Sequence, residues 1–219
     1  MRRLSVIIAV VCLPFLSMAQ GGAVKAVTNK LPIKIDLGIK VAANFANLDG
    51  KEWESGYKPG IAGGLFASAG TNRFAGSIEG LISMVRYTGN GLNFYNRNGN
   101  GLLSGYKNVA DSNKKADFAV TYINIPVLFN VKVGGPLWLQ VGPQYSGVLG
   151  INDKNNLMAS TTGLFKSGDI SGVLGAQLNF TKLRVGARYI VGLSDVNYKS
   201  AGSAWKTRTI QLSLGYSFL

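Results

Sequence analysis

The sequence predicts an all-β protein, an eight-stranded antiparallel up-and-down transmembrane β-barrel. Three observations point to this fold. Apolar and polar side chains alternate along eight segments, the connections between these segments alternate between short and long, and an export-type leader precedes the first segment. Alternation with a period of two gives a strand one apolar and one polar face. A barrel that turns its apolar faces outward therefore suits a lipid bilayer.

Residues 1–19 have the features of a cleaved signal peptide. Arg2 and Arg3 supply the positive start, and an apolar run follows over residues 4–16. The run is short for a membrane anchor and Pro14 interrupts it, so we expect cleavage rather than anchoring. The chain then has three parts: a signal peptide (1–19), a short periplasmic lead-in (20–32) and the barrel (33–219).

The first three segments differ in regularity. In 33–45 every odd-numbered residue is apolar, whereas 60–69 is rich in Gly and Ala, with Ile61 and Leu65 as the outward candidates. In 73–87 apolar residues again oppose a polar face. The polar faces of the first and third segments carry the charged residues Lys34, Asp36, Lys40 and Glu79.

The next three segments are 118–133, 137–149 and 169–180. In each, a row of Ile, Leu, Val and aromatic side chains opposes Asn, Gln or charged side chains. Pro126 has no backbone N–H to donate to the ladder, so we expect a bulge there. The charged residues on the polar faces are Lys132 and Asp169.

The last two segments complete an even number of strands. Segment 182–194 places Arg184 and Arg188 on its polar face, and the closing segment 208–219 alternates from Ile210 to Phe218. We expect the closing segment to pair with 33–45, with Thr209, Gln211 and Ser213 turned inward. Most of the eight segments exceed the about 9–11 residues that a tilted membrane strand needs.

The connections fall into two classes. Short turns lie around residues 70–72, 134–136 and 181, whereas the remaining connections are long, at 46–59, 88–117, 150–168 and 195–206. Short turns on one side and long loops on the other are typical of barrels with periplasmic turns and extracellular loops. A soluble barrel of eight strands is chemically acceptable, but it does not require this sorting.

The interior of an eight-stranded barrel is just wide enough for its side chains to fill. The charged residues on the polar faces must therefore neutralise one another in a narrow space. We predict an interior charge network made of Lys40, Glu79, Lys132, Asp169, Arg184 and Arg188. A salt-bridged plug is favoured, and a narrow cationic pore is the alternative.

The strand T-Y-I-N-I-P-V-L-F-N-V-K-V resembles the PorT-type outer-membrane beta-barrel family of Bacteroidota-like bacteria. The matching residues are Tyr122, Ile125 and Pro126, followed by Gly142 and Pro143 in the next strand. The resemblance implies an eight-stranded outer-membrane barrel, with some family members linked to secretion or gliding machinery. Such barrels commonly end on an aromatic residue, whereas here one leucine follows the final phenylalanine.

Composition argues against several functions. The single cysteine, Cys12, lies in the leader, and the chain has no histidine, on which outer-membrane deacylases, palmitoyltransferases and omptin-like proteases rely. Neither Glu79 nor Asp36 has a recognisable nucleophile beside it. The net charge of +13 is scattered without a basic helix or stripe. We expect no enzymatic activity, no cofactor, no metal and no nucleic-acid partner.

The predicted function is a structural or interaction role for a monomer in the cell outer membrane, as an accessory of an envelope or secretion complex. Its expected partners are outer-membrane lipid and the barrel-assembly machinery. A surface-ligand binder is a second alternative, since basic loops suit lipopolysaccharide or another envelope partner. Those loop residues are Lys51, Lys58, Arg97, Lys107, Lys114, Lys115, Lys154, Lys166, Lys199 and Lys206. An aromatic belt at the membrane interfaces is expected from Phe45, Phe74, Tyr87, Phe180, Tyr189, Tyr216 and Phe218.

Overall fold

The computed structural model describes residues 33–89, 114–157, 165–197 and 204–218. The predicted signal peptide and lead-in lie outside these residues, as do the loop residues Arg97, Lys107 and Lys199. Within the described ranges, no helix has the length and apolar character needed to cross a bilayer.

Eight antiparallel strands close into a barrel in which each strand pairs with its neighbours in chain order. The predicted fold class is therefore confirmed. The first four strands are β1 (Lys34–Asp49), β2 (Lys58–Gly70), β3 (Phe74–Thr88) and β4 (Asp117–Gly134). The last four are β5 (Leu137–Asp153), β6 (Gly168–Asn179), β7 (Leu183–Gly192) and β8 (Lys206–Ser217).

The seam between the first and last strands has the predicted partners. β1 pairs with β8 from Gly38 opposite Ser217 to Asp49 opposite Lys206. This pairing leaves no free sheet edge, so every strand has a hydrogen-bonded neighbour on both sides.

The two ends of the barrel are distinguished by their connections. The turns after β2, β4 and β6 are short, and Gly135 takes the left-handed backbone conformation (φ 47°) in the second of them. The connections after β1, β3, β5 and β7 are longer. We call the short-turn end the inner end and the long-loop end the outer end. The described chain enters β1 and leaves β8 at the inner end, as in bacterial outer-membrane barrels.

The outward faces of the strands form an apolar belt. Large apolar side chains project from every strand, and a soluble barrel would instead bury them. The most exposed, at 58–69%, are Val41, Ile61, Leu65, Ile82, Val133, Leu174 and Leu193. Polar side chains occupy most of the interior below the outer end, so the two faces are arranged as in a membrane barrel and not as in a soluble one.

Pro126 does not produce the expected bulge. The pairing of β4 with β3 is interrupted between the Ile78–Val127 and Leu81–Asn124 pairs, but its register is unchanged across the gap. The register shifts of β4 against β5 lie elsewhere, at Thr121/Tyr122 and at Lys132/Gly134. The missing N–H of Pro126 thus weakens the ladder without inserting a residue, and the prediction of a bulge at Pro126 was wrong.

Candidate functional site

The barrel interior is divided along its axis into a polar layer, a small cavity and an apolar cluster. At the centre of the polar layer, Glu79 on β3 accepts hydrogen bonds from Arg188 on β7 at 2.8 and 2.7 Å. Lys40 on β1 donates to Glu79 Oε1 at 2.5 Å. All three side chains are at most 2% exposed. Two buried cations therefore share one buried carboxylate.

Amide side chains extend this layer across the barrel. Arg188 Nε donates to Gln140 Oε1 on β5 at 2.8 Å, and Gln140 Nε2 donates to Asn130 Oδ1 on β4 at 2.6 Å. Asn130 Nδ2 in turn donates to Ser77 Oγ on β3 at 2.9 Å. The connected groups lie on β1, β3, β4, β5 and β7, so the layer crosses the lumen instead of lining one wall.

A second ion pair lies toward the inner end, where Arg184 on β7 donates to Asp36 on β1. Between the two ion pairs, the ring of Phe66 on β2 faces Arg184 Cζ at 4.5 Å and Lys40 Nζ at 5.7 Å from its centroid. Cations over an aromatic face are attracted by the ring quadrupole. The weak alternation in β2 did not predict that Phe66 faces the interior. Its ring fits there because Gly38, which has no side chain, lies directly beside it.

Two residues of the predicted interior network lie apart from it. Lys132 is exposed, because β4 ends two residues later and its side chain lies at the open inner end. Asp169 is buried but forms no ion pair with the described residues: its Oδ2 accepts from Thr207 at 3.1 Å and Ser171 at 3.3 Å. Arg188 pairs with Gly175, six residues along β6 from Asp169, or about 20 Å of strand. The six predicted residues do not form one network in the structure: Lys40, Glu79 and Arg188 are joined, Arg184 pairs with Asp36 instead, and Lys132 and Asp169 lie apart.

A cavity of about 40 Å³ lies beside Asp169. Its wall includes the amides of Asn124 and Gln211 and the rings of Tyr87 and Tyr122. A water needs about 10–15 Å³ of such space, so the cavity holds a few waters at most. Asp169 Oδ1 and Gln211 Oε1 lack a hydrogen-bond partner among the described residues, and both belong to cavity-lining side chains. We interpret the cavity as a polar water site.

Apolar side chains close the outer end of the barrel. Trp53 packs edge-on against Trp205 (centroids 5.0 Å apart) and Phe118 (5.6 Å), and it tilts against Phe165 at 5.6 Å. Trp205 is fully buried, and its Nε1 donates to Glu52 Oε2 at 3.0 Å. We call this set the aromatic cap. Its buried members are Ala46, Leu48, Trp53, Val85, Tyr87, Ala116, Phe118, Val120, Tyr122, Phe165, Val196 and Trp205.

The aromatic cap explains why Tyr87 is not in the interfacial belt. Tyr87 is 4% exposed and points into the barrel, so its placement in the belt was wrong. The other six aromatic residues assigned to the belt are 37–54% exposed and face outward. In the outer third of the strands the inward positions become apolar, which removes the alternation that marks a membrane strand.

Above the aromatic cap, carboxylates neutralise part of the basic loop surface. Glu54 accepts from Lys115 at 2.6 Å and from Lys58 at 3.3 Å, and Arg208 pairs with Asp49 at 2.8 Å. The contacts of Lys115 and then Lys58 hold the pKa of Glu54 below its ordinary 4.5. Lys58 and Lys115 are therefore already engaged within the protein.

Sequence comparison identifies the family of this barrel. The family described as "Outer membrane protein beta-barrel domain" matches residues 18–198. The chain belongs to this family. Membership agrees with the apolar belt and the closed eight-stranded sheet, and it places the protein in the outer membrane. No curated protein is significantly similar in sequence.

Solved structures of other outer-membrane barrels resemble the fold. Neisserial surface protein A is 14% identical, with 83% of this chain and 97% of that chain covered and a TM-score of 0.47. Ail of Yersinia pestis, in complex with the heparin analogue sucrose octasulfate, is 12% identical, with 84% and 99% covered and a TM-score of 0.48. At these identities the likeness concerns only the fold.

Proposed function

We propose that this outer-membrane barrel is a closed, non-conducting protein that acts through its surface, in a structural or interaction role, and not as an enzyme or a channel. The observation that carries this proposal is the polar layer centred on Glu79. Lys40 and Arg188 reach the same carboxylate from two other strands, so charged groups that would line a pore are tied together across it.

The aromatic cap supports the same function independently. A conducting pore needs a continuous wet path, whereas Trp53, Phe118 and Trp205 are at most 4% exposed at the outer end. The cavity between the two layers is only about 40 Å³. An ion would have to displace both the polar layer and the cap to cross the barrel.

Planar bilayer recording tests this proposal directly. We expect the folded protein to show no single-channel steps above the lipid background. Folding of the same sample is verified by its heat-modifiable gel mobility, and an outer-membrane porin serves as the conducting control. Regular steps from folded protein would contradict the proposal and favour the narrow cationic pore.

The narrower assignment to PorT-type barrels is also part of the proposal. The residues Tyr122, Ile125 and Pro126, with Gly142 and Pro143, support it, and it would make the protein an accessory of an envelope or secretion complex. Crosslinking in intact outer membranes tests this role. A barrel whose long connections 90–113 and 158–164 are replaced by short Gly-Ser loops is the control. Loss of a specific crosslinked partner in this control supports the role, and identical crosslinks in both proteins contradict it.

Export and assembly complete the proposal. We infer that residues 1–19 are removed during export, that 20–32 remain in the periplasm, and that the barrel-assembly machinery inserts a monomer. The intact mass of protein purified from outer membranes tests the cleavage, with Gln20 as the expected first residue. A mass that retains the leader would contradict it.

Binding of an anionic surface ligand through the outer end is the alternative function. Lys58, Lys115 and Arg208 are engaged by carboxylates at the outer end, and this reduces the free positive charge there. Lipopolysaccharide binding that is abolished by replacing exposed outer residues such as Lys154 and Lys206 with Gln would favour this alternative.

A further inference from the structure

The inner end of the barrel carries exposed basic side chains without matching acidic ones. Lys34 begins β1, Arg73 lies in the turn before β3, Lys132 lies near the end of β4 and Lys182 lies in the turn before β7. All four are exposed and form no ion pair with the described residues. We call Lys34, Arg73, Lys132 and Lys182 the inner basic rim.

The carboxylates of the described residues are distributed differently. At the inner end only Asp36 is present, and Arg184 is already bound to it. Carboxylates accompany the bases at the outer end, as in the contacts of Glu54 with Lys58 and Lys115. The inner end thus has an uncompensated positive charge, whereas the outer end has mixed charge.

Backbone contacts connect the members of the inner basic rim into one arc. The N–H of Lys132 donates to the carbonyl of Arg73 at 2.9 Å, and Lys34 is paired with Gly70 at the end of β2. On the other side, the N–H of Ser217 donates to the carbonyl of Lys182 at 2.8 Å. The seam between β8 and β1 joins the two parts, so the arc runs from β4 through β1 to the turn before β7.

Exposed aromatic rings lie next to the same residues on the outward face. Phe74 follows Arg73 and stacks on Phe129 with ring centroids 6.0 Å apart, and Phe180 lies two residues before Lys182. Tyr216 and Phe218 pack together at the end of β8. Aromatic girdles mark the level of the membrane interface. Arg73 and Lys182 lie one and two residues from such rings and are therefore at the level of the lipid headgroups, and Lys132 and Lys34 lie at the same end of the barrel.

We propose that the inner basic rim binds the anionic headgroups of phospholipids in the periplasmic leaflet. The occupant is lipid, because these exposed bases lie at the end of the barrel at the depth of the aromatic rings, where long basic side chains can reach the surrounding headgroups. A basic side chain near an anionic membrane surface changes affinity by about fivefold. Several such side chains along one arc give the barrel a preference for phosphatidylglycerol over a zwitterionic lipid of the same acyl chains.

Electron spin resonance with spin-labelled lipids tests this preference. The protein is folded in phosphatidylcholine bilayers, and its relative association with spin-labelled phosphatidylglycerol and phosphatidylcholine is measured. The rim variant carries Lys34→Gln, Arg73→Gln, Lys132→Gln and Lys182→Gln. The control variant loses the same number of charges at the outer end, through Arg86→Gln, Lys154→Gln, Lys166→Gln and Lys206→Gln.

We expect the wild type and the control variant to prefer phosphatidylglycerol, and the rim variant to lose that preference several-fold. The preference of the wild type should also weaken as salt is raised, because headgroup charges are screened. Unchanged preference in the rim variant would overturn the proposal, and so would an equal loss in the control variant. Seven of the eight substituted side chains are exposed and Lys166 is half-buried, so heat-modifiable mobility should confirm that both variants fold.

Discussion

Arg188 donates two hydrogen bonds to the carboxylate of Glu79, although β7 and β3 are not neighbours in the sheet. The pair therefore links opposite parts of the barrel wall through the lumen. Lys40 adds a third strand to the same carboxylate. Backbone hydrogen bonds connect only adjacent strands, whereas these side-chain contacts connect strands on opposite sides of the barrel and so stabilise its closed form.

Replacing Glu79 with Gln should strongly destabilise the barrel. The variant leaves Lys40 and Arg188 buried without a counter-charge, and breaking a buried ion pair costs about 3–5 kcal/mol. Urea unfolding in lipid vesicles, followed by heat-modifiable mobility, measures the loss. Glu54→Gln, which removes a half-exposed carboxylate at the outer end, is the control and should cost no more than about 1 kcal/mol.

A second substitution distinguishes charge from packing at the same position. Adding Lys40→Met to Glu79→Gln removes one of the two buried cations that have lost their counter-charge. Part of the lost free energy of unfolding should therefore be regained. If Glu79→Gln leaves the unfolding midpoint unchanged, the polar layer does not stabilise the barrel. If Lys40→Met lowers the midpoint further, the packing of the lysine side chain matters more there than its charge.

Truncating Trp205 to Ala should open the aromatic cap. The side chain is fully buried against Trp53 and Phe165, and removing a buried aromatic side chain costs about 3–5 kcal/mol. Thermal unfolding measures the effect. Tyr57→Ala, at an exposed loop position, should change the midpoint little. An equal effect of both truncations would mean that the cap contributes no particular stability.

Gly64 on β2 and Gly80 on the neighbouring strand β3 should respond differently to replacement by Ala. A Cβ on Gly64 would lie 1.9 Å from the carbonyl oxygen of Gly80, whereas a Cβ on Gly80 meets nothing within 4 Å. Gly64→Ala should therefore cost about 1–3 kcal/mol or more. Gly80→Ala adds a methyl group to the outer face and should be tolerated. The two unfolding midpoints test this directly, and a reversed order would contradict the described packing of β2 on β3.

The contact of Glu54 with Lys115 should depend on pH. The pKa of Glu54 is lowered from 4.5, chiefly by the hydrogen bond from Lys115, and that of Lys115 is raised from 10.5 by Glu54. The carboxylate therefore contributes stability above pH 4.5 and loses it as the pH falls through its lowered folded pKa. The lysine contributes below pH 10.5 and loses its contribution as the pH rises through its raised folded pKa.

Carboxyl NMR titration measures the acidic side of this prediction. The titration of Glu54 should shift toward 4.5 in the Lys115→Gln variant, and also in high salt, because both groups are exposed enough to be screened. Lys154→Gln, which removes an exposed lysine elsewhere at the outer end, is the matched control. The same titration in wild type and Lys115→Gln would show that the contact does not form in solution.

The sequence predicted the membrane part of the barrel better than its outer end. Where lipid surrounds the strands, inward and outward positions face opposite environments, and alternation located all eight segments. β1 and β5 extend beyond their predicted ends to Asp49 and Asp153. There the inward residues Ala46 and Leu48 are apolar as well, so alternation ends before the strand does.

The interior site was only partly predictable for a related reason. Alternation shows that Lys40, Glu79, Arg184 and Arg188 share the inward face, but it does not give their positions along the barrel axis. That position depends on the register between paired strands, and the register of β6 against β7 places Asp169 far from Arg188 along the axis. The connections between strands contribute three buried rings to the cap, those of Trp53, Phe165 and Trp205. Connections have no sequence periodicity, so the sequence could not predict that these rings point into the barrel.

The aromatic cap is connected to the seam of the barrel. Trp205 immediately precedes β8, and its indole N–H donates to Glu52, which follows β1. This contact therefore lies at the outer end of the two strands that close the sheet, whereas other cap members such as Tyr87 and Phe118 lie on β3 and β4. Separating β8 from β1 would consequently open the wall and also remove the hydrogen bond that holds Trp205 in the cap.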